Sequence, residues 1–334
     1  MPANKEHTEA TPSSLAVAAG EYLDYLAVER GLARNTIVAY RRDLTTYCAY
    51  LERAGSASFE EVTRQVVEGF VADRRGGGYS DASVERALAA VKGLHAFLVR
   101  DGAVAQNPTA ALRLPKKVDR LPEYLSVEDV SALLDQDFPE GEMGLRDHAI
   151  LEVLYGCGLR VSELYGLTRA DIDFDRRCIH VRRQLCRTAE KPYFVTPPKT
   201  KSGIRNVPMT DAVYMALMRV VKARTAPKVE LLVDGHSGFL FLDKSGMPKV
   251  AMHLENYMRG LQARFEKAYG KPVPRITPHV LRHTFCTNVQ QAGLDVKSLQ
   301  YLMGHSNASV TLDVYTHSSF DSVERAFEQI ASSL

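Results

Sequence analysis

The segment Pro278-His279-Val280-Leu281-Arg282-His283 gathers several reactive side chains into one stretch. Proline suits the first helical turn, so His279 and Arg282 fall three apart on one helical face. His279 and His283, four apart, could in principle hold a metal. The zinc-protease pattern, however, needs glutamate directly after the first histidine, where Val280 stands. A fixed guanidinium would also repel the cation, and a histidine with an arginine suits an anionic oxygen better. Two satisfied surface residues are the plain alternative for this segment alone. Three further fragments add to it. Cys157-Gly158-Leu159-Arg160-Val161-Ser162-Glu163-Leu164 sets Arg160 after a glycine break at a helix start, with Glu163 one turn on and placed to hold the guanidinium. Leu302-Met303-Gly304-His305 sets a histidine after another glycine. Ten residues beyond His305, in Thr311-Leu312-Asp313-Val314-Tyr315-Thr316-His317, stands Tyr315.

The elements that must position these residues fall into two groups. Apolar positions at helical spacing predict helices over Ser13–Gly31, around Ile37–Leu51, over Ser58–Ala72 and from Ser80 to Asp101-Gly102. Four such helices can bury their stripes in a small bundle. Asn107-Pro108 breaks the pattern, and the charged, proline-bounded run Leu114–Pro122 reads as a linker. A second domain starts near Leu125, with Ser126 and Asp129 resembling a capping box. Short strands are expected at Cys178–Arg183, Tyr193–Thr196, Gly203–Pro208 and Phe239–Leu242. The stretch Lys199–Gly203 forms the turn between the second and third of these. Helix returns over Thr210–Arg224, and from Pro278 onward only helices are expected, broken at Gly293, Gly304 and His317. Tyr155, Tyr165 and Tyr301 fall at apolar helical positions and are assigned to the core.

The 334 residues, 45% hydrophobic and 25% charged, have the balance of an ordinary globular chain of about two domains, not a disordered or collagen-like one. No apolar run approaches the roughly 20 residues a helical membrane span needs. Met1–Ser14 is a polar tail without the apolar core of a signal peptide, which points to the cytoplasm. The five cysteines (Cys48, Cys157, Cys178, Cys186, Cys286) are scattered without CxxC spacing and read as reduced thiols. A net charge of +2 hides strong segregation: thirteen Lys and Arg lie between Arg176 and Lys228 against only Glu190 and Asp211. Such a basic stretch favours a polyanionic partner, a solvated basic surface being the alternative.

Taken in order, Arg160, a turn lysine, His279-x-x-Arg282, His305 and Tyr315 resemble the tyrosine recombinase (phage integrase) family of site-specific DNA recombinases. The motifs that carry the likeness are Gly158–Leu164, His279–Thr284, Leu302–His305 and Val314–His317. The linker end Arg120–Ser126 is similar to that of Xer-type members. The stretch from Thr196-Pro197-Pro198-Lys199 through Tyr315 looks more like the integrases of conjugative transposons. The fold implied is mainly α with a small antiparallel β-sheet (α+β): a polar tail over 1–14, a helical core-binding domain over 15–110, a linker over 111–124 and a catalytic domain over 125–334. By resemblance the two domains form a C-shaped clamp on DNA, with Ser80–Arg100 a candidate for base reading.

The resemblance also implies the roles. Arg160 and Arg282 clamp the scissile phosphate, always charged and able to present forked donors. His305 adds a donor for the transition state. Tyr315 attacks to form a 3′-phosphotyrosyl link with the help of His279 as base, and a lysine protonates the leaving 5′-oxygen. In Pro198-Lys199-Thr200-Lys201-Ser202-Gly203 the family's usual choice is Lys199, with Lys201 the alternative; simple phosphate contact is open to either. His317 is left as surface. No metal or other cofactor is expected, because the basic pocket neutralises the phosphate and the covalent link conserves its bond energy. The partners implied are double-stranded DNA and further copies of the chain, a tetramer in the synaptic complex, with an accessory protein possible. The helix Ser319–Leu334 packs on its own domain or docks on a neighbouring subunit. The chain lacks an additional N-terminal arm-binding domain and reads as a two-domain recombinase. Integration and excision of a mobile element, dimer resolution of Xer type, and a non-catalytic DNA-binding regulator are the rival tasks.

Overall fold

The computed structural model of the chain describes residues 13–113, 124–188, 191–225 and 230–307. Tyr315, His317 and Ser319–Leu334 lie outside the described residues, as do Met1–Pro12 and most of the expected linker. The architecture is mostly helical with two small antiparallel sheets. Two compact units, Met1–Arg120 and Leu121–Leu334, each have their own apolar core.

The first unit contains α1 (Ser14–Val28), α2 (Arg34–Arg53), α3 (Arg64–Gly76) and α4 (Asp81–Arg100). The hydroxyls of Ser13 and Ser80 accept the backbone N–H of Ala16 and Ser83, so α1 starts at Ser14, a residue assigned to the tail by sequence. The third helix differs more. Ser58 opens only a 3-10 turn, Phe59–Glu61; Thr63 is the true cap, accepting from Val66 N–H, and α3 runs past Ala72 to Gly76. That extension has a cause. Arg74, buried on α3, donates to the buried carboxylate of Asp43 on α2 at 3.3 Å, and Arg86 on α4 adds two bonds to the same group at 2.8 and 3.1 Å. A carboxylate away from water demands such partners, and here they bind three helices together.

His95 on α4 is also fully buried, 2.9 Å from the Tyr47 hydroxyl, and burial pushes its pKa down to about 4. The unfolded chain therefore binds a proton that the folded one refuses between about pH 6.5 and 4. Stability of this unit is expected to fall across that window as pH drops, by up to about 1.4 kcal/mol per pH unit. Urea unfolding at pH 7 and pH 5 checks it. His95→Leu, although less stable overall, should lose that part of the slope.

In the second unit the chain runs through α5 (Val127–Leu134), α6 (Glu142–Gly156) and α7 (Val161–Tyr165) into strands β1 (Ile172–Asp173), β2 (Cys178–Val181), β3 (Gln184–Cys186), β4 (Phe194–Thr196) and β5 (Arg205–Pro208). Helices α8 (Asp211–Ala223), α9 (Ala251–Tyr269), α10 (Pro278–Gln291) and α11 (Val296–Met303) follow. The expected turn Lys199–Gly203 does connect β4 to β5, but the two do not pair. β5 lies beside β2, where Val207 faces Ile179 and Arg205 faces Val181, while β4 pairs with the unforeseen β3. The apolar alternation of β5 matches the inward face of β2, and this settles its register. Phe239–Phe241 is buried and Leu242 partly so, but among the described residues the stretch makes only single bridges, Thr168 to Phe239 and Leu242 to Pro248, so it is no strand. Helix α9 escaped notice because its cap position is Val250, without a side-chain cap bond, although Leu254, Met258, Leu261 and Phe265 form a buried stripe. Tyr165 is core as expected. Tyr301 is not: it is exposed on α11 and its hydroxyl accepts from the Asn206 backbone N–H at 3.1 Å.

Candidate active site

Helix α10 begins at Pro278 under a Thr277 cap, whose hydroxyl accepts the Val280 N–H at 3.1 Å. Its inner face carries Leu281, Phe285 and Cys286, and Arg282 points the same way, only 5% exposed. The Arg282 guanidinium donates to the backbone carbonyls of Gly158 and Met303, and its Nη2 lies 3.1 Å from His305 Nε2. Both carbonyls belong to glycine breaks. Gly158, at φ +57°, leads into Arg160 and α7, and a Cβ there would stand 2.4 Å from the Phe285 ring. Gly304, at φ +62°, ends α11 and leads into His305; a Cβ there would meet Arg205 Nη1 at 2.9 Å and Ser202 O at 3.2 Å. Only glycine satisfies both the backbone and the space.

Arg160 is the cap residue of α7. Glu163 reaches back to it, accepting the Arg160 backbone N–H at 3.0 Å and its Nη1 at 2.8 Å, the contact expected from the one-turn spacing. Glu163 is fully buried, and Arg205 supplies a second guanidinium at 3.0 Å. Burial alone would raise the Glu163 pKa, but Arg205 and then Arg160 outweigh it and hold the carboxyl below its ordinary value. The Arg160 side chain stays 37% exposed, open to an incoming anion.

The surplus positive charge shows in the titration of its neighbours. Burial, then Arg282, Arg160 and Arg205, push His305 down to about 4. Arg282 itself is lowered to about 9, by burial first and Arg160 second, and remains cationic at neutral pH. Arginine can only donate, so His305 Nε2 accepts and the imidazole proton sits on Nδ1. The arrangement is a pocket of fixed cations with one neutral imidazole, suited to a phosphate in transition.

Arg160, Arg282 and His305 are thus brought together by hydrogen bonds. His279, in the first turn of α10, is exposed and stands outside those bonds. Lys199 and Lys201 are exposed as well, on the turn between β4 and β5; Lys199 acts on the Cys186 thiol at the end of β3, lowering it against the stronger upward push of burial. That turn is seated against the pocket through Ser202 O beside Gly304. Among the described residues the only group of three or more His, Cys, Asp or Glu side chains close enough to share an ion is Asp173, Cys178 and His180, which includes neither His279 nor His283. Sequence reasoning passed over Arg205. An arginine alternating with Val207 on the inward face of a strand needs a buried partner, but which face turns inward depends on the pairing of β5 with β2.

Both units match known protein families. Residues 123–322 match the phage integrase family, and residues 19–102 match the phage integrase N-terminal SAM-like domain. The chain belongs to the phage integrase family. Within that family it is 35% identical to tyrosine recombinase XerD of Corynebacterium glutamicum over 321 residues, 93% of this chain and 96% of that protein. It is 37% identical to the transposase from transposon Tn916 of Enterococcus faecalis over 246 residues, 73% of this chain. That match spans 60% of the transposase's length. The solved Tn1549 transposon integrase in complex with transposon right end DNA superposes with a TM-score of 0.81 at 30% identity, covering 94% of this chain and 99% of that one. For a phage integrase, the mostly helical fold with small antiparallel sheets follows expectation. Among the described residues no helix is long and apolar enough to cross a membrane.

Proposed function

We propose that this chain is a site-specific tyrosine recombinase that cleaves and rejoins duplex DNA in the integration and excision of a mobile element. The observation that carries the reading is the convergence of Arg160, Arg282 and His305 on two glycine breaks, with Glu163 fixing Arg160. The likeness to the Tn916 transposase and the Tn1549 integrase favours the mobile-element task. Chromosome or plasmid dimer resolution is the second reading, favoured by the nearly full-length match to XerD. A gene lying beside mobile-element functions would support the first, and its absence from such a neighbourhood the second.

In the proposed reaction Arg160 and Arg282 bind the non-bridging oxygens of the scissile phosphate, and the Nδ1–H of His305 is a further donor. Tyr315 gives its proton to His279 and bonds to phosphorus; the bond to the 5′-oxygen breaks, and the ammonium of Lys199 protonates that oxygen. Lys201 is the alternative acid on the same turn. The free 5′-hydroxyl of another strand then reverses the step, so rejoining needs no nucleotide. Phosphate contacts supply affinity and register, and groove contacts supply sequence choice. The active assembly is proposed as a tetramer on two DNA sites, in the cytoplasm.

Covalent capture on nicked suicide substrates made from DNA flanking the gene tests this. A protein–DNA band that survives SDS, disappears with protease, forms in EDTA and vanishes in Tyr315→Phe is expected. Tight, specific binding by the wild type without any such band would instead support a non-catalytic DNA-binding regulator.

A further inference from the structure

Arg205 is the first residue of β5, and its side chain is completely buried. Its three recorded hydrogen bonds reach three separate segments. Nη1 donates to Gly203 O at 3.0 Å, Nε to Leu302 O at 2.6 Å, and Nη2 to Glu163 Oε2 at 3.0 Å. Strand packing alone would prefer an apolar residue here, as at Val207, because a buried guanidinium is costly unless each donor is engaged. The engaged groups are informative. Gly203 closes the 3-10 turn Lys201–Gly203 of the lysine loop, Leu302 stands three residues before His305, and Glu163 holds Arg160. The loop is itself tightly built: Gly203 N–H donates to Thr200 O at 2.9 Å, and a Cβ on Gly203 would lie 2.3 Å from Pro198. Among the described residues, Arg205 hydrogen-bonds at once to that loop, to the end of α11 and to Glu163.

We propose that Arg205 is a positioning residue that fixes the lysine loop against the phosphate pocket, so that the lysine ammonium meets the departing 5′-oxygen. This rests on the strand-cleavage reading above. Arg205 touches no substrate in this scheme; it acts through Gly203 O on the loop. Lysine at the same position would keep the charge opposite Glu163, but a point ammonium cannot span three acceptors as the planar fork does.

The role predicts a specific chemical rescue. A substrate with sulfur in place of the bridging 5′-oxygen leaves as a thiolate, which needs no proton. Tyr315 Oη bonds to phosphorus, the P–S bond breaks, and the general acid is bypassed. Single-turnover cleavage by Arg205→Lys, with protein saturating the DNA site found by covalent capture, is expected to be about 100-fold slower than wild type on the oxygen substrate, the scale of a lost general acid. On the sulfur substrate it should recover to within about threefold of wild type, as Lys199→Ala should. Equal slowing on both substrates, or none on oxygen, would overturn the proposal. If Arg205→Lys does not fold, Arg205→Met is made with Glu163→Gln, which removes the buried carboxylate charge that had lost its Arg205 partner, and is compared with Glu163→Gln alone by the same two rates. A wild-type protein that forms no adduct on either substrate would defeat the recombinase reading itself, a result separate from both outcomes for Arg205.

Discussion

Glu163→Ala is expected to lower the stability of the second unit by about 3–5 kcal/mol, the cost of stripping one partner from a buried ion pair. At about 2–4 °C per kcal/mol for a unit of this size, its melting transition should drop on the order of 10 °C. The reason lies in what remains. Among the described residues Glu163 is the only acid bonded to Arg160 and Arg205, and with it gone the fully buried Arg205 faces Arg160 and Arg282 without that compensation. The cap of α7 also loses its reciprocal bond from the Arg160 N–H. Glu163→Gln keeps the shape and should cost less. Because the Glu163 carboxyl is held below its ordinary value of 4.5, its contribution is present above that pH and disappears as pH falls through the lower folded value. The gap between wild type and Glu163→Gln should therefore narrow in acid. Calorimetry at pH 7 and pH 4 reads both effects.

Arg282→Lys should abolish most cleavage, by about 1,000-fold, at the upper end of what one preorganised donor contributes. A lysine cannot hold the Gly158 and Met303 carbonyls and His305 with one fork. It should also lose its charge. The site already lowers an arginine to about 9 through burial and Arg160, and an ammonium starts from a lower reference value. Over the range where the lysine titrates, the variant's single-turnover rate should fall as pH rises, whereas the wild-type Arg282 keeps most of its charge. A variant that merely tracks the wild-type profile at a lower level would show that geometry alone was lost. Measuring both rates from pH 6 to 8.5 separates the two.

Much of this molecule is legible in its sequence. Ser13, Ser80, Ser126, Thr210 and Thr277 all cap helices where their hydroxyls announce it, and the glycine breaks before Arg160 and His305 both have positive φ. What stayed hidden had physical reasons. α9 lacks a polar cap, β3 has three residues, and the pairing of β5 with β2 is a long-range choice between sheet edges that local pattern does not encode. The start of α3 was misplaced because Ser58 and Thr63 are both plausible caps, and only the reach of Arg74 to Asp43 explains why the helix runs on. Arg205 looked like one more member of a basic stretch. Its burial depends on a register that only the folded sheet reveals.

The two bonds from Arg282 to the Gly158 and Met303 carbonyls have a practical consequence. Every residue type carries a carbonyl, so Arg282 holds the course of the main chain at both breaks without calling on the side chain of residue 303. Exposed positions such as Met215 on α8 can then be varied in a library while the reaction centre keeps its alignment. Directed evolution of the chain would start from such outward positions and leave the two glycines untouched.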